Sequence, residues 1–276
     1  PIIRLLVKIL QLVFFTLGDM GKNRTNIRTA SLAFYTLLSI IPLLAVVFAA
    51  AKAMGYIDMV LENLYGLFPQ SPEIVEYCVS FAENTLARTR GGLMAAIGGV
   101  TVLWTAVGLL EELVMAFNDT WKVTERRNLG RYGAYAAILI FIPALWAGAE
   151  ILNIWLGKLF GLSDNWFMRI LDEVVSTSLE LGLFVLIYKI VPHTKVEWRS
   201  AFVAGITAGT FFQIFHWIFT FVISKMTSYN AIYGSFAALP LLLFWIRYSW
   251  QILLTGNELA YAHQNLHLLQ EERLNR

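Results

Sequence analysis

Seven ionisable residues stand inside, or at the ends of, strongly apolar stretches of this chain: Glu111, Glu112, Glu150, Glu180, His216, Arg247 and Glu258. A charge at the centre of a membrane span costs roughly 2.5–3.5 kcal/mol, so such groups are kept where they meet a partner, water or a solute. The chemistry on offer is ligation and gating. Carboxylates can hold a cation or a proton, and an arginine can hold an anion or close against an acid. The alternative is structural pairing, in which the same charges hold helices together. The residue types leave both readings open.

Other constellations carry less. His263 and His267 lie at i, i+4 with Glu271 a turn further on. That spacing can bind zinc, but the metalloprotease Glu is missing, and a solvated helix face fits it better. The sequence has no phosphate-binding loop, dinucleotide fingerprint or nucleophile elbow. Cys78 is the single cysteine, which excludes an intrachain disulfide and a cysteine zinc cage. We expect no catalytic residue, no metal and no cofactor.

Composition sets the frame for these side chains. Apolar residues make up 58% of the 276 and charged residues 14%, against roughly 25% charge in a soluble domain. Such a chain cannot cover its surface with polar groups, which excludes both a disordered protein and an ordinary soluble enzyme. Twenty-one Lys and Arg against 19 Asp and Glu leave a net charge of +2. That gives no basic face for nucleic acid, so none is expected as a partner.

A bilayer core about 30 Å thick takes about 20 apolar residues per helix. Six stretches qualify: Ala30–Met54, Leu93–Phe117, Tyr132–Leu156, Asp172–Val191, Ser200–Ser224 and Gly234–Ala260. None has the form of a cleavable signal peptide. The predicted fold class is therefore all-α: a polytopic membrane protein of six transmembrane helices. Lys and Arg fall fourteen on one side (residues 4, 8, 22, 24, 28, 122, 126, 127, 131, 189, 195, 199, 273, 276) and six on the other (52, 88, 90, 158, 169, 225). This bias puts both termini in the cytoplasm.

Residues 2–18 carry Arg4, Lys8 and Gln11 at helical spacing on an otherwise apolar segment. It reads either as an amphipathic helix on the inner leaflet or as a short helix packed on the bundle. The connection 55–92 is too long for a bare loop, and Ser71-Pro72-Glu73 has the marks of a helix start. An external helical cap is expected there. The domain plan is a cytoplasmic amphipathic helix (1–20), a membrane domain (21–262) and a cytoplasmic tail (263–276).

Within the spans, Pro42, Pro143 and Pro240 each remove a backbone hydrogen bond. Three of them among six helices favour a cavity modestly; an ordinary kink is the alternative. Trp104, Glu111 and Asn118 recur at intervals of seven and share one helix face. By depth, Glu180 and Arg247 lie near mid-membrane, Glu150 in the outer part, and Glu111, Glu112 and Glu258 toward the cytoplasm. Arg247 is expected to face the bundle interior, with Glu180 as its first partner and Glu150 as its second.

The segment Asn26–Leu43, with Tyr35 and Pro42, resembles the opening signature of the YihY / virulence factor BrkB family. Ile232-Tyr233-Gly234, Pro240, Trp245, Gly256, Glu258 and Leu259 resemble that family's last helix. Trp104, Asn118 and Val191-Pro192 also fall at matching positions. The departures are Asn257, where the family has Ala, and Arg247, where it has an aromatic residue. The resemblance implies a bacterial inner-membrane protein of six spans. Some members carry the name ribonuclease BN, which scattered histidines and a missing basic groove argue against. The expected function is transport or binding of a solute, ion or lipid in a cavity among the spans, with membrane lipids as partners. A non-transporting scaffold for envelope partners is the alternative. Substrate identity and homo-oligomer formation are left open.

Overall fold

The computed structural model of the chain describes residues 11–16, 18, 25–55, 76, 80, 92–123, 166–226 and 238–274. Among them every regular element is a helix: α1 (Thr25–Met54), α2 (Gly92–Thr120), α3 (Trp166–Ile190), α4 (Trp198–Met226), α5 (Ala238–Gln264) and α6 (Leu266–Leu274). Five are long, at 25 to 30 residues, and coincide with five of the six apolar stretches. The stretch 132–156, with Pro143 and Glu150, lies outside the described residues, as does nearly all of the connection 55–92, Cys78 included. Among the described residues one helix, Trp198–Ile223, is long and apolar enough to cross a membrane by length and composition.

The helix ends follow local chemistry. Gly55 closes α1 with φ of +77°, the left-handed conformation that glycine adopts without steric cost. At the end of α2 a non-glycine, Lys122, takes that role with φ of +53°. There the Val123 N–H reaches the Asn118 carbonyl at 3.0 Å and satisfies a terminal acceptor. α1 stays helical through Pro42. α5 begins at Ala238, so Pro240 falls in its first turn, where no intrahelical N–H is needed.

The helices fall into two compact units, one drawn from residues 1–26, 114–215 and 251–276, the other from 27–113 and 216–250. In the first, Phe117, Tyr188, Ala201, Ala204, Leu254 and Ala260 form a buried core. Phe117 stacks on Tyr188 with ring centroids 6.1 Å apart. α3 and α4 approach closely because Gly205 has no side chain: a Cβ there would lie 2.4 Å from Val185 Cγ2 and 2.7 Å from Val185 N. In the second unit, Tyr35 lies over Gly108, and the Trp250 indole donates to Thr36 Oγ1 at 2.9 Å.

Hydroxyls on these helices are largely satisfied by their own backbone. Thr36, Thr120, Ser178, Thr207, Thr210, Ser249 and Thr255 each donate to the carbonyl four residues back. Outward faces carry large apolar groups instead. Phe202, Ile206, Phe211, Ile214, Trp217 and Phe221 of α4 are all exposed, a surface suited to lipid rather than water.

The N-terminal helical residues 11–16 pack against the C-terminal helices of the first unit. Leu12 and Thr16 are buried; Leu12 packs with Ala262, Leu266 and Leu269, and the Gln270 amide donates to Gln11 at 2.9 Å. One face of this segment is therefore packed on protein. Val13 and Phe14, on other faces, are 49% and 52% exposed.

Candidate functional site

The C-terminal half of α5 gathers the polar groups of the first unit. Its residues Gly256, Asn257, Glu258, His263 and Gln264 each meet a different neighbour. A Cβ on Gly256 would lie 2.1 Å from Tyr188 Oη and 2.7 Å from the Ala208 Cβ, so only glycine lets α5 come this close to α3 and α4. Tyr188 in turn donates to the Leu253 carbonyl at 3.0 Å. Tight approach excludes water, and a polar group held there needs protein partners.

Glu258 is 2% exposed. Its Oε1 accepts from Thr120 Oγ1 at 3.0 Å and from Thr25 Oγ1 at 3.4 Å. Thr25 is the first residue of α1, which carries no acid in its own first turn. The carboxylate of α5 thus stands at a helix N-terminus, where the macrodipole favours negative charge. Thr120, the last residue of α2, also has the Ala116 carbonyl as an acceptor at 3.3 Å. One carboxylate oxygen therefore joins three helices.

Asn257 is fully buried, and its Oδ1 accepts from the Trp121 indole at 2.9 Å. Its Nδ2 finds no hydrogen-bond partner among the described residues. Below these, His263 Nδ1 and Ser200 Oγ lie 2.9 Å apart. Gln264 accepts from the Glu197 N–H at 2.8 Å and donates to the Lys195 carbonyl at 3.1 Å, capping the start of α4. Asn118 Oδ1 accepts from the His193 N–H at 2.9 Å, which pins the turn after α3 to the end of α2. Lys189 donates to the Val196 carbonyl and stands over the Trp198 ring.

The other residues singled out by sequence lie elsewhere. In the second unit Arg28 pairs with Glu112 at 3.0 Å, with side chains 27% and 12% exposed. Glu111 is partly buried. Glu180 accepts from the Gln213 amide at 3.3 Å in the first unit. His216 is exposed. Arg247 is exposed in its own unit, beside exposed Phe244 and Tyr248, rather than turned inward as expected. A long side chain can carry its charge along an apolar surface toward the polar boundary, which relieves the cost that motivated an inward position. Trp104 is 76% exposed, and the Trp245 carbonyl accepts from Ser249. Gly234 and Glu150 lie outside the described residues. The pair His263 and His267 is divided by the break at Asn265, and His263 turns to Ser200 instead.

Sequence reasoning missed Thr25, Thr120, Trp121, Tyr188, Ser200 and Gln264. They are neutral, and they lie far along the chain from the residues they meet. The sequence signals fell on the residues they meet: Glu258 as an acid in an apolar stretch, and Gly256, Asn257 and Asn118 through the family pattern.

The comparisons agree with the membrane reading. The family described as Virulence factor BrkB matches residues 16–276. A "UPF0761 membrane protein" of Glaesserella parasuis serovar 5 is 33% identical over 220 residues, covering 77% of this chain and 76% of that protein. One from Psychrobacter sp. (strain PRwf-1) is 30% identical over 262 residues, 90% of this chain but 47% of the relative, so the chain spans about half of that protein's length. One from Photobacterium profundum is 30% identical over 255 residues, with 86% and 76% covered. None of these names states an enzymatic activity. No solved structure matches. The match over residues 16–276, together with these relatives, establishes that the chain belongs to the BrkB virulence-factor family of membrane proteins.

Proposed function

We infer that this is a bacterial inner-membrane protein of six spans that binds or passes a solute, ion or lipid among its helices and catalyses no reaction. Both termini and the Lys122–Arg131 connection are cytoplasmic in this reading, and 55–92 forms a helical cap outside. The fourteen-to-six division of basic residues supports the orientation. Glu258 carries the functional part: a buried carboxylate joined by hydroxyls of two other helices is costly to keep in a membrane and is functional by default. Its role is ligand or gate, with Glu180 as a further candidate in the same unit.

The test is flux. Proteoliposomes of the purified protein are assayed for ion current on a supported membrane and for scrambling of a fluorescent phospholipid. Activity above protein-free vesicles, lost in Glu258→Gln while size-exclusion behaviour is kept, supports the reading. Flux that is unchanged in Glu258→Gln overturns the role of that residue.

A second reading, a scaffold for envelope partners, is favoured by the Arg28–Glu112 pair, because charges paired within packed helices need no solute. No flux of either kind, with stoichiometric recovery of an envelope protein after crosslinking, selects it. The orientation has its own test. Cys78 should label with an impermeant maleimide in intact spheroplasts; labelling only after lysis contradicts an external position. Purified protein should also leave RNA intact; metal-dependent trimming of transfer RNA that disappears in a His263 or Glu258 variant would refute that.

A further inference from the structure

We propose that the turn between α3 and α4, with the first turns of α4, seats an anionic phospholipid: Lys195 and Arg199 hold its headgroup, and Phe202 and Ile206 take its acyl chain. Among the described residues α4 is the helix long and apolar enough to cross a membrane, and Trp198 is its first residue. A tryptophan half exposed at such a helix start belongs at the level of the headgroups. Phe202 and Ile206, also half exposed, lie about 6 Å and 12 Å further along the axis. At 3.6 residues per turn Trp198, Arg199, Phe202 and Ile206 fall within about 100° of arc. The guanidinium and the apolar groups therefore share one outward face.

Charge selects the occupant. Residues 186–203 contain Lys189, Lys195 and Arg199 against one acid, Glu197. Lys189 is engaged: it donates to the Val196 carbonyl and stands over the Trp198 ring. Lys195 and Arg199 are exposed, and among the described residues neither side chain meets an acid. An arginine fork fits two phosphate oxygens, and a lysine four positions away adds a point charge. Basic groups at the edge of an apolar membrane face match an acidic phospholipid. A free anion would use the cations and leave Phe202 and Ile206 uncovered. A zwitterionic lipid would use the apolar face and leave the cations uncompensated.

The turn is fixed by the protein itself. Asn118 accepts from the His193 N–H at 2.9 Å, and Gln264 accepts from the Glu197 N–H at 2.8 Å and donates to the Lys195 carbonyl at 3.1 Å. The ordering cost of binding is therefore confined to the two long side chains. Gln264 is also the last residue of α5, so a lipid on the turn bears on the helix that carries Asn257 and Glu258. The proposal rests on α4 crossing the membrane and not on passage of a solute. The assignment to the inner leaflet rests on the orientation proposed above; the attraction to acidic lipid does not.

The experiment is native mass spectrometry of the full chain in a neutral detergent, titrated with phosphatidylglycerol or with phosphatidylcholine of the same acyl chains. Phosphatidylglycerol should bind more tightly. Arg199→Gln and Lys195→Gln should each weaken it by about fivefold. Lys122→Gln, which removes a charge from the end of α2 in the same unit, should leave it unchanged. Phe202→Ser should weaken both lipids. The two cations are exposed, so size-exclusion behaviour should be kept in their variants. Equal affinity for the two lipids overturns the proposal. So does equal weakening in Lys122→Gln, the mark of a diffuse charge effect. Displacement of phosphatidylglycerol by millimolar inorganic phosphate overturns it in favour of a site for free anions. Flux results leave these outcomes unaffected, so the two proposals fail separately.

Discussion

Two carboxylates, Glu258 in the first unit and Glu112 in the second, are held in different ways. Glu112 meets an arginine, Arg28, and both side chains stay partly exposed. Glu258 is more deeply buried and is met by two threonine hydroxyls from the ends of two other helices. Its neighbours on α5, Gly256 and Asn257, are buried as well. A charge pair tolerates some slack, because Coulomb attraction falls off slowly with distance. A hydroxyl clamp does not, because a hydrogen bond is lost within a few tenths of an ångström. Glu258 therefore depends on how closely the backbones pack around it, and Glu112 depends mainly on the identity of one partner.

That contrast can be broken at its foundation first. Gly256→Ala puts a methyl 2.1 Å from Tyr188 Oη, and Tyr188 is itself fixed by its bond to Leu253. Overpacking of this kind costs about 1–3 kcal/mol or more. We expect the largest loss of thermal stability in detergent here, with the Arg28–Glu112 crosslinking distance unchanged; a stable Gly256→Ala protein would show that the close approach is not needed.

Glu258→Leu comes next. It removes the acceptor that the Thr25 and Thr120 hydroxyls share, while Thr120 keeps the Ala116 carbonyl. A cost of about 1–3 kcal/mol is expected for breaking up a buried hydrogen-bonded group. Glu258→Gln should lose less than half as much. Equal losses for Leu and Gln would mean that the charge, not the hydrogen bonding, is what the site requires.

Arg28→Leu should cost less, about 1 kcal/mol, because the pair is partly exposed. The double variant with Glu112→Leu should recover part of that loss, since a carboxylate with no cation is the expensive state. Strictly additive losses would remove the pair from the comparison. Smallest of all is Arg247→Leu. With the side chain exposed on its own unit, the melting temperature should not fall measurably, and a large loss would restore an inward-facing role.

Much of the helical plan was readable from apolar length alone. α1, α2, α3 and α5 overlap their stretches, and α4, Trp198–Met226, ends within two residues of Ser200–Ser224 at each end. Glu258 stood out because an acid in an apolar stretch has a cost that must be met somewhere. What met it was not readable. Thr25 is 233 residues away in sequence and Thr120 is 138 away, and threonine is common on membrane helices for local reasons. Arg247 was misjudged for a different reason. The inward assignment treated the charge as fixed at the depth of its Cα, whereas a guanidinium sits at the end of a flexible stem.

The self-bonded hydroxyls of these helices bear on how the chain is made. Thr36, Thr207, Thr210, Ser249 and Thr255 each find an acceptor within their own turn. Such a group is satisfied as soon as its helix exists, before any neighbour arrives. Each segment can therefore leave the insertion machinery for lipid singly, hiding its polar atoms from hydrocarbon. Glu258 and Asn257 also reach beyond their own turn: the hydroxyls and the indole they accept from lie far earlier in the chain. α5 is the helix whose transfer has to wait until the segments carrying Thr25 and Thr120 are already at hand, which ties a step in biosynthesis to two threonines.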